Sequence, residues 1–217
     1  PYPYRLGREA NAFDVEEATY HGILSAIREK DAECFRFTIE TNPTYGKYHW
    51  TGHRNCNVSM SPSESKKLGG KCPVCGRPLT RGVDERVDDL ADRPMGFRPE
   101  GAIDYRHVLP LHEIIGMVLG VENLYASSVW KAFDSVISKF GDQYTVLLDA
   151  PREELIKVVD EGLANAIVRV RRGEIDIVPG YDGVYGRLVF TREKGGGQGA
   201  KRREGSSKKQ LGLQDFM

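Results

Sequence analysis

The stretch that decides the fold reads Gly52-His53-Arg54-Asn55-Cys56, then fifteen residues, then Cys72-Pro73-Val74-Cys75-Gly76. Two residues separate the ligand candidates in each half, giving H-x2-C followed by C-x2-C. That spacing belongs to a tight knuckle, in which one turn aims two side chains at one ion. Two knuckles complete a tetrahedron, and a sulfur-rich set with an imidazole suits Zn2+. The gap between them lies within the range of ribbon-type sites. Gly76 lets the backbone close under the sulfurs. A redox pair at Cys72 and Cys75 would expect a βαβ pattern around it, and none is legible here. His53 is the fourth ligand by spacing, with His49 and Cys34 as the alternatives. Four protein ligands leave no position for water, so the site reads as structural, not hydrolytic.

The composition around the cluster explains why a metal is needed. Residues 42–82 are rich in Gly, Pro, Ser, Asn and Lys, a poor basis for an independent core. Residues 47–81 also hold seven Lys/Arg against one acid, Glu64. Local positive charge in a chain of zero formal net charge suggests an anionic partner at a defined place, against the plainer reading of solvated loop charge. Arg54, Lys66, Lys67 and Lys71 are the candidate DNA-phosphate contacts.

The chain as a whole has 217 residues and is 40% hydrophobic, enough for a packed core. No apolar run approaches the ~20 residues of a membrane helix, and no secretory or transit segment is visible. Three of its four cysteines sit in the cluster. That use fits a reducing compartment better than disulfides do, so the expected location is cytoplasmic. The chain opens on Pro1 without an initiator Met and reads like part of something longer.

Asp14-Val15-Glu16-Glu17 has the spacing of a helix N-cap with an acid three residues on, and Tyr20, Ile23, Leu24 and Ile27 continue with helical period to about Lys30. Cys34 to Glu40 alternates as a half-buried strand, with Phe35, Phe37 and Ile39 on the apolar face. Cys34 points the other way, a structural or exposed thiol. Val83, Val87 and Leu90 predict a short helix, and residues 92–107 read as loop. Helices follow at Leu109–Leu119 and Ala126–Phe140. Pro151 opens a longer helix that Gly173 stops. Glu174–Val178 and Arg187–Phe190 read as a hairpin around Pro179-Gly180-Tyr181-Asp182-Gly183-Val184-Tyr185-Gly186. Its tyrosines either stack on bases or, as is commoner, wedge the turn onto a core. His21, His107 and His112 sit singly among apolar residues and read as structural.

From Thr191 the Gly/Ser/Lys/Arg mixture cannot bury apolar surface and reads as a flexible linker. The chain then ends on Gln210-Leu211-Gly212-Leu213-Gln214-Asp215-Phe216-Met217. This is Q-x-x-L-x-x-F-M, the pattern of a sliding-clamp-binding (PIP) box. A single tight turn projects Leu213, Phe216 and Met217 as an apolar plug, while the Gln210 amide pairs with backbone groups of the clamp.

These readings describe an α+β chain: a zinc-ribbon-like module at 42–82, a mostly helical DNA-binding domain with a β-hairpin at 83–190, and a disordered tail at 191–217. One function they allow is a non-catalytic zinc-ribbon adaptor that links DNA or a protein partner to a sliding clamp. No phosphate-binding loop of the Walker type and no Ser-His-Asp set can be placed.

A second reading comes from resemblance. The ordered set Arg5-Leu6-Gly7-Arg8-Glu9, Gly46-Lys47-Tyr48-His49, the two knuckles, Gly82-Val83 with Arg86-Val87, Leu90-Ala91-Asp92-Arg93-Pro94, and Pro179 to Gly186 resembles endonuclease Q across residues 5–190. The resemblance implies a DNA-repair endonuclease that nicks 5′ of deaminated bases such as uracil and hypoxanthine, and at abasic sites. It implies chemistry in a polymerase-and-histidinol-phosphatase (PHP) metallohydrolase domain. There Asp, His and Glu ligands hold Mg2+, Mn2+ or Zn2+ ions that activate water. Residues 1–41 would be the C-terminal remnant of that α/β domain. The family's Ser-Asp-x-His ligand segment would lie just before Pro1, so no catalytic metal ligand can be carried over onto this sequence.

Overall fold

The computed structural model describes residues 7–189. In chain order its elements are β1 (Ala10–Phe13), α1 (Tyr20–Glu29), β2 (Phe35–Glu40), β3 (Thr51–His53), β4 (Val58–Met60), α2 (Pro62–Lys67) and α3 (Val83–Leu90). They continue with β5 (Asp104–His107), α4 (Leu111–Leu119), α5 (Ser127–Phe140), α6 (Arg152–Leu155), α7 (Glu161–Arg171), β6 (Asp176–Val178) and β7 (Arg187–Val189). The fold is mixed α+β. No helix among the described residues is long and apolar enough to cross a membrane. The linker and the candidate clamp residues Gln210, Leu213, Phe216 and Met217 lie outside the described residues, as do Arg5 and Leu6.

The described chain divides into two compact units, one of residues 7–42 with 98–175 and one of residues 43–97 with 176–189. In the first, β1 and β5 flank β2 in a three-stranded sheet. β1 runs antiparallel to β2, with Ala10 opposite Ile39, and β5 runs parallel to it. The alternation read for β2 holds, since Phe35 and Ile39 are buried while Arg36 and Glu40 are exposed. Phe35 stacks on Phe13 across the pair at 4.8 Å. Helix α1 starts later than the Asp14 spacing predicts. Its N-cap is Thr19, whose hydroxyl accepts from the Gly22 N–H at 3.1 Å. Asp ranks above Thr as a cap by type, so it is the local turn and not residue preference that selects Thr19. The stretch read as loop at 92–107 contains β5, which has too few apolar residues to announce a strand.

The helices of this unit supply its core. Leu111, Ile114 and Ile115 of α4, Val129 and Val136 of α5, and Leu163 and Ile167 of α7 are all at most 1% exposed. The single helix expected from Pro151 is broken in two. α6 ends at Leu155, and Asp160 caps α7 by accepting from the Leu163 N–H at 3.0 Å. A capping Asp placed before a new apolar run restarts the helix. Residues Thr145–Asp149 form a π-helical turn. Arg171 satisfies its carbonyls by donating to Val146 O at 2.8 Å, Leu147 O at 3.0 Å and Ala150 O at 2.8 Å.

In the second unit β3 and β4 pair antiparallel around a 3-10 turn at Arg54–Cys56. Val58, Met60 and Cys72 form its buried centre, with Cys56, Leu68 and Leu79 packed against them. That core is small, as the composition predicts. Thr51 tightens it: its hydroxyl accepts from the Gly82 N–H at 2.9 Å and donates to Glu85 at 2.5 Å, which seats the start of α3. Strands β6 and β7 belong to this unit and pair antiparallel.

Candidate metal centre

His53 closes β3, and Cys56 sits on the 3-10 turn that follows it. Asn57 ends that turn with φ of 55°, a left-handed conformation that Asn tolerates. The second knuckle is a tight loop, with the Gly76 N–H donating to Cys72 O at 2.8 Å and the Cys72 N–H donating to Arg77 O at 2.8 Å. Gly76 adopts φ of 71°, a left-handed backbone that glycine takes without a Cβ penalty, where the chain closes under the sulfurs. A bridge between Gly52 and Thr80 ties the strand bearing the first knuckle to the chain leaving the second.

The two turns bring the ligand atoms of His53, Cys56, Cys72 and Cys75 within 4.8 Å of one another. Cys75 Sγ lies 3.3 Å from His53 Nδ1. A tetrahedral Zn2+ with bonds of about 2.0–2.3 Å sets ligand-to-ligand edges of roughly 3.3–3.8 Å. The donor set therefore fits an ion such as zinc in both chemistry and spacing. His49 is used differently, with its Nε2 lying 3.9 Å from the Asp84 carboxylate beside α3. Cys34 precedes β2 in the other unit.

Packed this closely, the thiols share their ionisation unevenly. Cys56 is pushed up to about 11, first by loss of solvent and then by hydrogen bonds to Cys75 and Cys72. Cys75 moves the other way, with the Arg77 backbone N–H as the largest cause. A coordinating cation resolves the conflict, because a metal-bound thiol is deprotonated outright.

The loop between β6 and β7 is the part of this centre that spacing arguments missed. Asp182 and Gly183 have φ of 41° and 86°, and Tyr181 and Val184 bridge across them. Two central residues with positive φ make a type I′ turn, which Asp-Gly favours. The turn docks on the first knuckle. Asp182 Oδ2 accepts from the Arg54 N–H at 2.6 Å, and Oδ1 accepts from the Thr80 hydroxyl at 2.6 Å. One carboxylate thus holds the residue between two ligands and the chain just past the other two. Tyr181 is 4% exposed and donates to Asn57 Oδ1 at 2.9 Å. Its ring lies over Gly52, where a Cβ would come within 2.4 Å of Tyr181 Cδ2. The Asp-Gly dipeptide in the sequence announces the turn; nothing local announces its contact with residues more than a hundred positions earlier.

The candidate DNA-binding side chains differ in their surroundings. Arg54, Lys67 and Lys71 are exposed. Lys66 is exposed too, but its ammonium pairs with Asp88 at 2.5 Å and Asp89 at 3.1 Å.

The family described as the MJ0043 C-terminal domain matches residues 110–174, the helical part of the first unit. The uncharacterized protein MJ0043 of Methanocaldococcus jannaschii is 32% identical over 201 residues, which are 89% of this chain and 24% of that protein. The uncharacterized protein YqxK of Bacillus subtilis is 27% identical over 87% of this chain and 47% of its own length. Among solved structures, the lesion-specific endonuclease PfuEndoQ from Pyrococcus furiosus matches with a TM-score of 0.76 at 35% identity, over 86% of this chain and 46% of that one. An endonuclease Q in complex with a 27-mer duplex substrate, with an abasic lesion at the active site, matches with a TM-score of 0.74 at 35% identity over the same shares. The chain spans about half the length of these solved proteins. Identity of 35% joined to TM-scores of 0.76 and 0.74 over 86% of the chain makes it endonuclease Q-like in sequence and in fold.

Proposed function

We propose that this chain is the C-terminal part of a DNA-repair endonuclease that recognises deaminated bases or abasic sites and nicks the strand 5′ of the lesion. The observation that carries the reading is the match to the lesion-specific endonuclease, at 35% identity and a TM-score of 0.76 over 86% of the chain. The His53, Cys56, Cys72 and Cys75 centre takes a structural Zn2+. Four protein ligands close it to water, so its contribution is folding energy and shape. Hydrolysis belongs to Mg2+, Mn2+ or Zn2+ ions held by a PHP-type domain beyond residues 1–217. Arg54, Lys67 and Lys71 contact DNA phosphates, and Lys66 contributes less because two carboxylates already engage it. The tail pattern at Gln210, Leu213, Phe216 and Met217 supports recruitment by a sliding clamp.

The test compares the 217-residue chain with a full-length protein on a uracil-containing duplex, with Mg2+ or Mn2+ present. The expected result is incision 5′ of uracil by the full-length protein only, and binding by both that weakens steeply with salt. Incision by the shorter chain would mean that the active site is misplaced. No lesion-dependent incision by the full-length protein would remove the enzyme reading altogether.

A further inference from the structure

The loop that locks the metal centre splits its two tyrosines between different tasks. Tyr181 points inward at 4% exposure, while Tyr185 is 43% exposed. The segment 44–48 runs beside the loop and is pinned to it by backbone hydrogen bonds. The Gly183 N–H donates to Lys47 O at 2.8 Å, the Gly186 N–H to Tyr45 O at 3.0 Å, and the Gly180 N–H to Thr44 O at 3.1 Å. Tyr48, on the same segment, is 45% exposed. The Lys47 ammonium lies 5.4 Å from the Tyr48 ring centroid and 5.9 Å from that of Tyr185. Tyr45 backs Tyr185 at 6.2 Å. Two half-exposed rings therefore flank one cation on a backbone that cannot rearrange freely.

We propose that Tyr48 and Tyr185, with Lys47 between them, form a stacking platform for an unpaired base of DNA. The proposal rests on the DNA-repair reading and adds a site to it. Every base has a π-face, and aromatic rings beside a cation bind unpaired strands with little regard for sequence. Paired bases are stacked already and present only their edges, so the platform discriminates opened DNA from intact duplex. Lys47 supplies the charge complement to the flanking phosphate, and exposed Arg54 lies nearby, its Nη1 3.4 Å from the Cβ position built at Gly183. Rigid attachment matters because rings held in place lose little freedom when a base docks.

The experiment measures binding of the 217-residue chain to three labelled probes by fluorescence anisotropy. They are a short oligothymidylate, an all-abasic strand of the same length and charge, and a duplex of that length. Replacing both Tyr48 and Tyr185 by Ala should weaken thymidylate binding by about fivefold or more, since stacking contributes that much per base. Affinity for the abasic strand and the duplex should stay within about twofold. The double Phe variant should retain wild-type affinity, because it keeps both rings. Lys47→Gln should instead lower the salt slope on the single strand by about 0.7, the share of one phosphate contact. Zinc content and melting temperature of each variant serve as folding controls. Equal losses on thymidylate and abasic strands would refute stacking, as would no loss on either. Absence of DNA binding by the wild-type chain would overturn the DNA-repair reading as well as this site.

Discussion

Removing the Asp182 carboxylate should loosen the metal centre although Asp182 touches no ion. Its two oxygens accept hydrogen bonds of 2.6 Å from the Arg54 N–H and the Thr80 hydroxyl. A hydrogen bond to a charged group contributes about 1.5–3 kcal/mol when shielded, and less where solvent competes. Asp182 is only half-buried, so the pair together is expected to contribute about 2 kcal/mol. Part of that acts on zinc directly, because Arg54 lies between His53 and Cys56 and its N–H fixes the knuckle. Groups that orient metal ligands typically change affinity about 10–100-fold when lost. The left-handed backbone at residue 182, with φ of 41°, complicates an alanine substitution. Asp182→Asn is the cleaner variant, since Asn accepts this conformation and keeps one acceptor oxygen. The assay is competition for zinc against a chromogenic chelator, with melting temperature in parallel. The expected order of affinity is wild type, then Asn, then Ala, with Ala at least about tenfold weaker. Unchanged zinc affinity in Asp182→Ala would show that the knuckle holds its shape alone, and the loop would then be merely adjacent.

Other substitutions test neighbouring parts of the argument. Cys72→Ser should lower zinc content and expose residues 42–82 to proteolysis, while Cys34→Ser leaves both unchanged; equal effects from the two would displace the assigned ligand set. In the first unit, His112 lies between Trp130 and Phe133 with ring centroids 4.3 Å and 3.9 Å away, and burial lowers its pKa. Such a histidine is neutral in the fold, so its stability contribution is complete above the unfolded value of about 6.5 and is lost as pH falls from there toward the folded value. Melting curves across that window should fall more steeply for the wild type than for His112→Phe; parallel curves would assign the acid sensitivity elsewhere. In the tail, Phe216→Ala should cost about 2 kcal/mol or more of clamp binding by calorimetric titration, as loss of an interface anchor does. Equal affinities for the two chains would leave residues 191–217 as a basic tail.

The sequence carried the local parts of this molecule well. Knuckle spacing named four residues whose ligand atoms lie together, because a two-residue gap fixes a turn whatever surrounds it. Alternation placed β2, and the helices read at Leu109–Leu119 and Ala126–Phe140 stand as α4 and α5. Boundaries suffered where two capping residues competed. Asp14 has the right spacing, but Thr19 makes the bond. Asp160 was hidden inside what looks like one long apolar stripe from Leu155 to Val168. Strand β5 escaped for a different reason: the parallel partner β2 lies more than sixty residues upstream, and only that partner makes Asp104–His107 a strand.

The metal centre shows the same division at the level of the site. Its first layer is local and was legible. Its second layer, Asp182, Tyr181 and Thr80, arrives from the chain beyond α7 and from beyond the second knuckle. A small core explains why that layer exists. Val58, Met60 and Cys72 bury little apolar surface, so a docked hairpin, and metal bonds at the proposed zinc site, would replace packing that the composition cannot supply. The hairpin in turn has three described residues in each strand, and an isolated two-stranded hairpin is marginal alone. Each is therefore a condition of the other, and zinc loss should release the hairpin along with the knuckles. Since Tyr185 stands on that hairpin and Tyr48 on the segment it pins, a metal bound at the proposed site would hold the proposed base platform together without touching DNA.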